Sequence, residues 1–303
     1  MTNDQFDTPV LYLVFNRPEH TRRSFETIRA IRPKRLFIAA DGPREHVTAD
    51  LQTTQEVRRI VMTVDWPCEI TKLFRERNLG SALSVSNAVS WFFSNVEEGI
   101  ILEDDCIPHP DFWAYCQTFL RHYADNDKIM AICGANFQGP SRQSDESHYL
   151  SKYPHCWGWA SWRRAWAHYN HDLVFDKNKV LKALITNFWT NPFAIFYWLE
   201  IMKNLRKAKW DAWDYRWYLS VWASGGLAAL PSKNLVKNIG FDKDATHTKD
   251  SENSLKASLE VSPIKHVLEK LNGHRSLAND IYYEYKHLIW PECLRFIKRY
   301  SGK

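Results

Sequence analysis

The chain has 303 residues, of which 45% are hydrophobic and 25% charged, with a net charge of +5. That composition excludes a disordered chain and is enough to bury the core of one large domain or two small ones. The mild positive charge argues against a nucleic-acid binder and suits an anionic small substrate or a membrane surface.

Residues 1–8 are polar, with no apolar segment of a signal peptide, and no window approaches eighteen consecutive apolar residues. A cytoplasmic protein that neither spans a membrane nor is exported is expected. Residues 10–15 form an apolar run of strand length, followed by Asn16, Arg17 and a helix that opens near Pro18. A strand over 36–40 ends in Asp41-Gly42-Pro43, and a helix over 53–64 follows. A third strand over 69–74 leads through Arg75 to Asn78-Leu79-Gly80 and a helix over 81–95. Strands alternating with helices predict an α/β fold with a mostly parallel twisted sheet and right-handed crossovers. Each strand ends in polar residues, so the tips should line one crevice.

The fourth strand is the decisive stretch. Ile100, Ile101 and Leu102 run directly into Glu103-Asp104-Asp105, then Pro108, Pro110 and a helix with Phe112, Tyr115, Cys116 and Phe119 at helical spacing. Three adjacent carboxylates at the end of a buried strand repel one another, and a hard divalent cation, Mn²⁺ or Mg²⁺, relieves that repulsion with oxygen ligands. A solvated acidic loop is the plain alternative. No G-x-G-x-x-G follows the first strand and no P-loop is present, which argues against a dinucleotide dehydrogenase and excludes a P-loop NTPase.

The second half differs in character. A strand is expected over 129–133, and Trp157-Gly158-Trp159 sets a glycine between two flat rings. That suits a sugar ring or a Trp-packed hinge. Residues 178–207 read as helical, with Phe188, Trp189, Phe193, Phe196, Tyr197 and Trp198 as core. In the helix expected around 210–217, Trp210, Trp213 and Trp217 form a buried stripe beside Asp211 and Asp214. A strand carrying Pro231 is expected over 227–236, followed by a polar loop bearing His247. The scattered Cys68, Cys106, Cys116, Cys133, Cys156 and Cys293 read as reduced thiols. The tail over 280–303 mixes Tyr and Trp with Lys and Arg, which suits a membrane surface, a helix packed on its own domain, or a homodimer contact.

The stretches VLYLVFNRP, NLGSALSVSNAVSWFF, GIILEDDCIPHPDFWAYC, WGWASW, WDYRW and NIGFDKDATHT resemble GT-A-fold glycosyltransferases of the nucleotide-diphospho-sugar transferase superfamily, of the bacterial polysaccharide-assembly type. The acidic stretch and its helix also resemble those of the Golgi N-acetylglucosaminyltransferase that opens complex N-glycan synthesis. The resemblance spans about residues 8–250. It implies a Rossmann-like domain over 1–250, with a nucleotide-sugar half over 8–135, an acceptor half over 136–250, and a helical extension over 251–303.

It further implies an inverting, metal-dependent transfer from a nucleotide-sugar, a UDP-sugar, to a glycan or lipid-linked acceptor. Asp105 corresponds to the direct metal ligand of the D-x-D-type motif. Glu103, standing where the pattern more often has Asp, joins the metal side, and Asp104 lies near the donor ribose or sugar. Arg17 and Asp41 correspond to base and phosphate contacts, Asn78 and Gly80 line the nucleotide side, and Gly158 belongs to the acceptor/donor loop. Asp214 corresponds to the catalytic base and His247 to a metal- or phosphate-contacting residue. The rival readings are a sugar-nucleotide nucleotidyltransferase and a catalytically decayed carbohydrate-binding protein.

Overall fold

A computed structural model describes residues 5–139, 146–175, 177–241, 260–264 and 273–289. The first half follows the expected alternation: β1 (Val10–Val14), α1 (Pro18–Ile31), β2 (Arg35–Ala40), α2 (Thr48–Val61), β3 (Glu69–Phe74), α3 (Ser81–Asn95) and β4 (Glu98–Glu103). All five β1 residues are buried, because parallel pairing with β2 on one side and β4 on the other leaves helices on both faces. After β4 come β5 (Cys106–Pro108), α4 (Asp111–His122) and β6 (Ile129–Cys133). Phe112, Tyr115, Cys116 and Phe119 all point into the core.

The remaining elements extend the same sheet. They are β7 (His148–Ser151), β8 (Trp159–Trp162), α5 (Arg163–Trp166), α6 (Lys177–Phe188), α7 (Pro192–Arg206), α8 (Asp214–Ala223), β9 (Leu227–Pro231) and β10 (Val236–Asn238). The strand order is β3-β2-β1-β4-β8-β6-β9-β7, eight strands in one sheet, with four parallel and three antiparallel pairings. The two halves expected from sequence therefore share one continuous sheet, joined where β8 runs antiparallel to β4. A second, two-stranded sheet pairs β10 with β5. The boundary expected at residue 250 lies outside the described residues.

Several expectations are corrected. The helix expected over 178–207 is two helices, because Asn191 caps a new start and Pro192 takes its first turn, where a missing N–H costs nothing. Phe188 and Trp198 are core, but Trp189, Phe193 and Phe196 are 68%, 76% and 71% exposed. Leaving three such rings in water forgoes about 1.5–3 kcal/mol apiece. The helix expected from Trp210 begins at Asp214. Trp213 and Trp217 are buried, whereas Trp210 lies outside it and is 41% exposed. Pro231 ends β9, so the strand expected over 227–236 is two strands in different sheets. Cys68, Cys106, Cys116, Cys133 and Cys156 are free thiols.

The tail through residue 289 packs on its own domain. It forms α9 (Leu277–Tyr283) and a π-helical turn (Glu284–Ile289). Ser151 Oγ donates to Asp280 Oδ1 at 2.5 Å, and the fully buried Lys152 Nζ meets Glu284 Oε1 at 2.5 Å. Asn191 Nδ2 donates to the other Glu284 oxygen at 2.9 Å. Lys152 and Glu284 are tolerable in the core because they are paired and hydrogen-bonded, whereas burial pushes the Asp280 carboxyl up to about 6. No helix among the described residues is long and apolar enough to cross a membrane.

Candidate active site

β4 delivers Glu103, Asp104 and Asp105 to the carboxyl end of the parallel sheet, beside the tip of β1. The three carboxylates do not share one environment. Asp104 turns inward: its Oδ2 accepts from Phe15 N at 3.3 Å and its carbonyl accepts from Ser24 Oγ at 2.9 Å. Burial and the neighbouring Asp105 charge raise its carboxyl to about 7. Glu103 is pushed well above the usual carboxylate range by burial and by the charges of Asp105, Asp104 and Asp214. Among the described residues Asp105 is the one of the three with a cation in direct contact, Arg17 Nη1 lying 3.2 Å from its Oδ2.

Both raised groups hold protons in the folded chain that the unfolded chain has already released. The native state therefore binds more protons between about pH 4 and 7, and stability falls as pH rises across that window. The effect belongs to the interacting pair and not to either group alone. Urea denaturation at pH 5 and pH 7.5 should show the fall, and Asp104→Asn should reduce it. An unchanged slope in that variant would contradict the assignment.

The antiparallel pairing of Asn238 with Cys106 lays the chain after β10 across the acidic tip. Ile239 N donates to Asp105 O at 2.8 Å, Asn238 Nδ2 to Asp105 Oδ1 at 3.3 Å, and Gly240 N to Asn238 Oδ1 at 2.7 Å. A Cβ on Gly240 would fall 2.3 Å from Asp105 Oδ2, so only glycine lets the backbone come so near that carboxylate. His20 Nε2 lies 3.0 Å from Ile239 O and ties α1 to the same loop. Asn238, Gly240 and His20 had no assigned role in the sequence. The Asn-Ile-Gly run was its visible signal, since glycine after a strand marks close approach.

On the other flank Asp41 is buried and accepts from Gly42 N at 2.9 Å, Leu79 N at 3.1 Å and Asn78 Nδ2 at 3.0 Å. Burial raises its carboxyl above the ordinary value. Asp41 and Asn78 thus lock the β2 tip to the loop before α3. Asn16 donates to Asp50 at 2.8 Å, and Arg44 Nε reaches the same carboxylate at 2.6 Å, holding it at about 2.

Gly80 sits at φ +78°, and a Cβ there would lie 2.6 Å from Asp211 Oδ2. The reason is a cap supplied from far along the chain: Asp211 accepts from Ser81 N at 2.7 Å and Ala82 N at 2.8 Å. Asp211 therefore closes the N-terminus of α3, where a carboxylate meets unsatisfied N–H groups and the helix dipole. Asp211→Ala should lower stability by about 1–2 kcal/mol, a drop of a few degrees in melting temperature. Asp211→Asn, which can still cap, should lose less. Equal losses would contradict the capping role.

Asp214 opens α8. Its charge raises Glu103 and also the hydroxyls of Tyr169, Tyr215, Tyr218 and Tyr283. A carboxylate from the second half thus stands close to the acidic tip of the first, inside a cluster of tyrosines. Within it, His155 Nδ1 and Tyr218 hydroxyl lie 2.9 Å apart, and Tyr283 from α9 packs on Tyr153 and His155. Sequence reasoning missed Tyr218, His155 and Tyr283, because their proximity depends on three elements distant in the chain. Trp157 is half-buried against Phe137 and Phe241, whereas Trp159 belongs to the core. Gly158 is itself buried at φ +57°, against Val236, Phe112 and Leu102.

The structure thus brings Glu103, Asp104, Asp105, Arg17 and Asp214 to one end of the sheet, and links Asp41, Asn78 and Gly80 beside it. His247 lies outside the described residues. Among the described residues no three His, Cys, Asp or Glu side chains are grouped to hold a metal on their own. Asn238 turns its Nδ2 toward Asp105 and its Oδ1 to Gly240 N, so the oxygen donors here are the carboxylates of Asp105 and the adjoining Glu103. They fit a hard cation that takes its remaining ligands from phosphate and water, as Mg²⁺ does. A cavity of about 320 Å³ bounded by Thr8, Arg35, Glu98 and Arg163 lies at the opposite, amino end of β1 and β4.

No family model matches the chain, and no curated protein matches it. Solved structures do. The inositol-1-phosphate CTP transferase from T. maritima is 11% identical, over 85% of this chain and 99% of that one, with a TM-score of 0.40. The 4-diphosphocytidyl-2C-methyl-D-erythritol synthase from Anaerococcus prevotii is 9% identical, over 53% of this chain and 74% of that one, with a TM-score of 0.33. HddC from Yersinia pseudotuberculosis is 10% identical over 48% of this chain, with a TM-score of 0.29, and the chain spans 59% of its length. With TM-scores of 0.40 and below, the reading of the site rests on its own residues.

Proposed function

We propose that the chain is an inverting, divalent-cation-dependent glycosyltransferase that moves a sugar from a UDP-sugar to a hydroxyl of a glycan or lipid-linked acceptor. The observation that carries this reading is that Trp213, next to Asp214, stacks on Trp159 of β8, which pairs with Ile101 two residues before Glu103, so α8 opens on the strand beside β4. The Asp214 charge accordingly adds to the upward push on Glu103. A transferase needs two opposed functions at one carbon: charge to hold the departing diphosphate, and a base for the incoming hydroxyl. The two halves of the chain supply one each.

Arg17, Asp105 and Asn238 form the diphosphate side. Asp105, with Glu103 adjoining, would hold the cation, and His247 joins them on the resemblance alone. When bound, the cation acts as a Lewis acid that neutralises charge developing on the leaving diphosphate. Asp214 accepts the proton of the acceptor hydroxyl as its oxygen bonds to the anomeric carbon. The bond from that carbon to the diphosphate oxygen breaks, and the diphosphate leaves with the electron pair. A single base facing a single leaving group gives inversion. Trp157 and Phe241 offer the flat apolar faces that sugar rings stack on. Asp41, Asn78 and Gly80 shape the nucleotide side, Asp104 the ribose or sugar, and Gly158 the acceptor loop.

The test separates three chemistries by product. The purified chain is incubated with Mn²⁺ and a panel of UDP-sugars, with water as slow acceptor, and separately with nucleoside triphosphates and sugar 1-phosphates. UDP release from the first and no pyrophosphate from the second is the expected result. Pyrophosphate release would replace the reading with nucleotidyl transfer, the activity in the name of the T. maritima protein. Neither product would leave a carbohydrate-binding protein.

A further inference from the structure

α6 is apolar on two adjoining stripes. Val180, Leu184 and Phe188 face the core, while Leu181, Ile185 and Trp189, at the same four-residue spacing, face solvent. α7 buries Ala194, Trp198, Ile201 and Leu205 and turns Phe193 and Phe196 outward from its first turn. The outward rings thus gather around the connection between the helices. Farther along that face of α7, Glu200 is occupied by Lys203 at 3.0 Å. Between residues 177 and 209 the chain carries Glu200 as its one acid against seven basic residues. Leu173 and Ala208, both at positive φ, bracket the hairpin, and Arg206 Nη2 donates to Leu173 O at 2.7 Å across its base. The exposed rings are therefore held out on a closed structural unit, not on a loose loop.

We propose that the α6–α7 hairpin docks the protein on an anionic lipid surface. Aromatic rings at the tip of a helix pair insert at headgroup depth. The basic residues toward the base of the hairpin, Lys179 and Lys182 on α6 and Lys203 and Lys207 on α7, meet acidic headgroups when the pair lies along the surface. Charge decides the occupant: a second copy would set the same basic face against itself, while an anionic bilayer complements both its apolar and its cationic parts. The inner face of α7 packs Trp198 on Tyr215 and Tyr218 of α8. The lipid-facing hairpin thus adjoins the helix that Asp214 opens. The proposal does not depend on which transfer reaction the site performs.

The test is sedimentation of the full chain with phosphatidylcholine vesicles and with vesicles containing phosphatidylglycerol. Wild type should partition at least tenfold better onto the anionic vesicles, and less so at high salt. The variant W189S/F193S/F196S should lose at least tenfold while keeping its melting temperature, because all three side chains are already in water. K179E/K182E should weaken binding to the anionic vesicles only. Binding unchanged in the aromatic variant, no preference for anionic lipid, or no vesicle binding would overturn the proposal. So would a wild-type dimer by light scattering that becomes a monomer in the aromatic variant, which would make the occupant a second copy.

Discussion

Asp214→Asn should lower kcat by about 10²- to 10⁴-fold, the range for loss of a positioned base, with donor affinity and melting temperature near wild type. The group acts only as the acceptor attacks, so its loss belongs in turnover and not in ground-state binding. Asparagine keeps the size and polarity of the side chain at the start of α8 while removing its ability to take a proton. Asp211→Asn is the matched control. It lies three residues away but spends both carboxylate oxygens on the backbone of α3, so it should leave turnover within a few-fold of wild type. Steady-state kinetics with one donor and one acceptor decides the matter. Loss of donor binding in Asp214→Asn, or of turnover in Asp211→Asn alone, would contradict the assignment.

Asp105→Ala should abolish cation-dependent donor binding while the chain stays folded. The carboxylate is held by Arg17, Asn238 and the close approach of Gly240, so its removal opens space without forcing a clash. It also removes the Arg17–Asp105 ion pair at the tip of β4. Calorimetric titration with UDP and Mn²⁺ should give no binding heat for the variant where wild type binds. Full wild-type turnover in excess EDTA would contradict the cation's part in the reaction.

Much of the first half was legible, because continuous apolar runs bounded by polar tips have few alternatives to buried parallel strands. The acidic triplet was legible for the same reason: it begins where a buried run stops. Elsewhere, local pattern competed with tertiary context. Phe188 and Trp189 are neighbours of like chemistry, yet one is core and the other in water, because hydrophobicity alone cannot say which of two adjacent apolar stripes finds a partner. Asn191-Pro192 did carry a readable helix start, outweighed by the apolar residues on either side.

Asp211 and Asp214 look alike in sequence. One caps a helix 130 residues back, and no local rule reports a cap donated from so far away. Tyr218 and Tyr283 belong to the same class: their roles arise only when α8 and α9 meet around His155. In the tail the sequence left a membrane surface, a dimer contact and packing on its own domain open. Through residue 289 the chain packs on its own domain, anchored by Asp280 and Glu284, which look like ordinary surface acids in the sequence. Residues 290–303 lie outside the described residues.

The central claim is that the acidic tip of β4 and its neighbours bind a nucleoside diphosphate sugar through a divalent cation. It is tested most directly by the melting temperature of wild-type protein with UDP-sugars, with Mn²⁺ and again with EDTA. At a donor concentration a hundred times its dissociation constant, binding should stabilise the fold by about 2.7 kcal/mol. That corresponds to a rise of several degrees that disappears when the cation is chelated. No rise with any nucleoside diphosphate sugar, or the same rise in EDTA, would contradict the account.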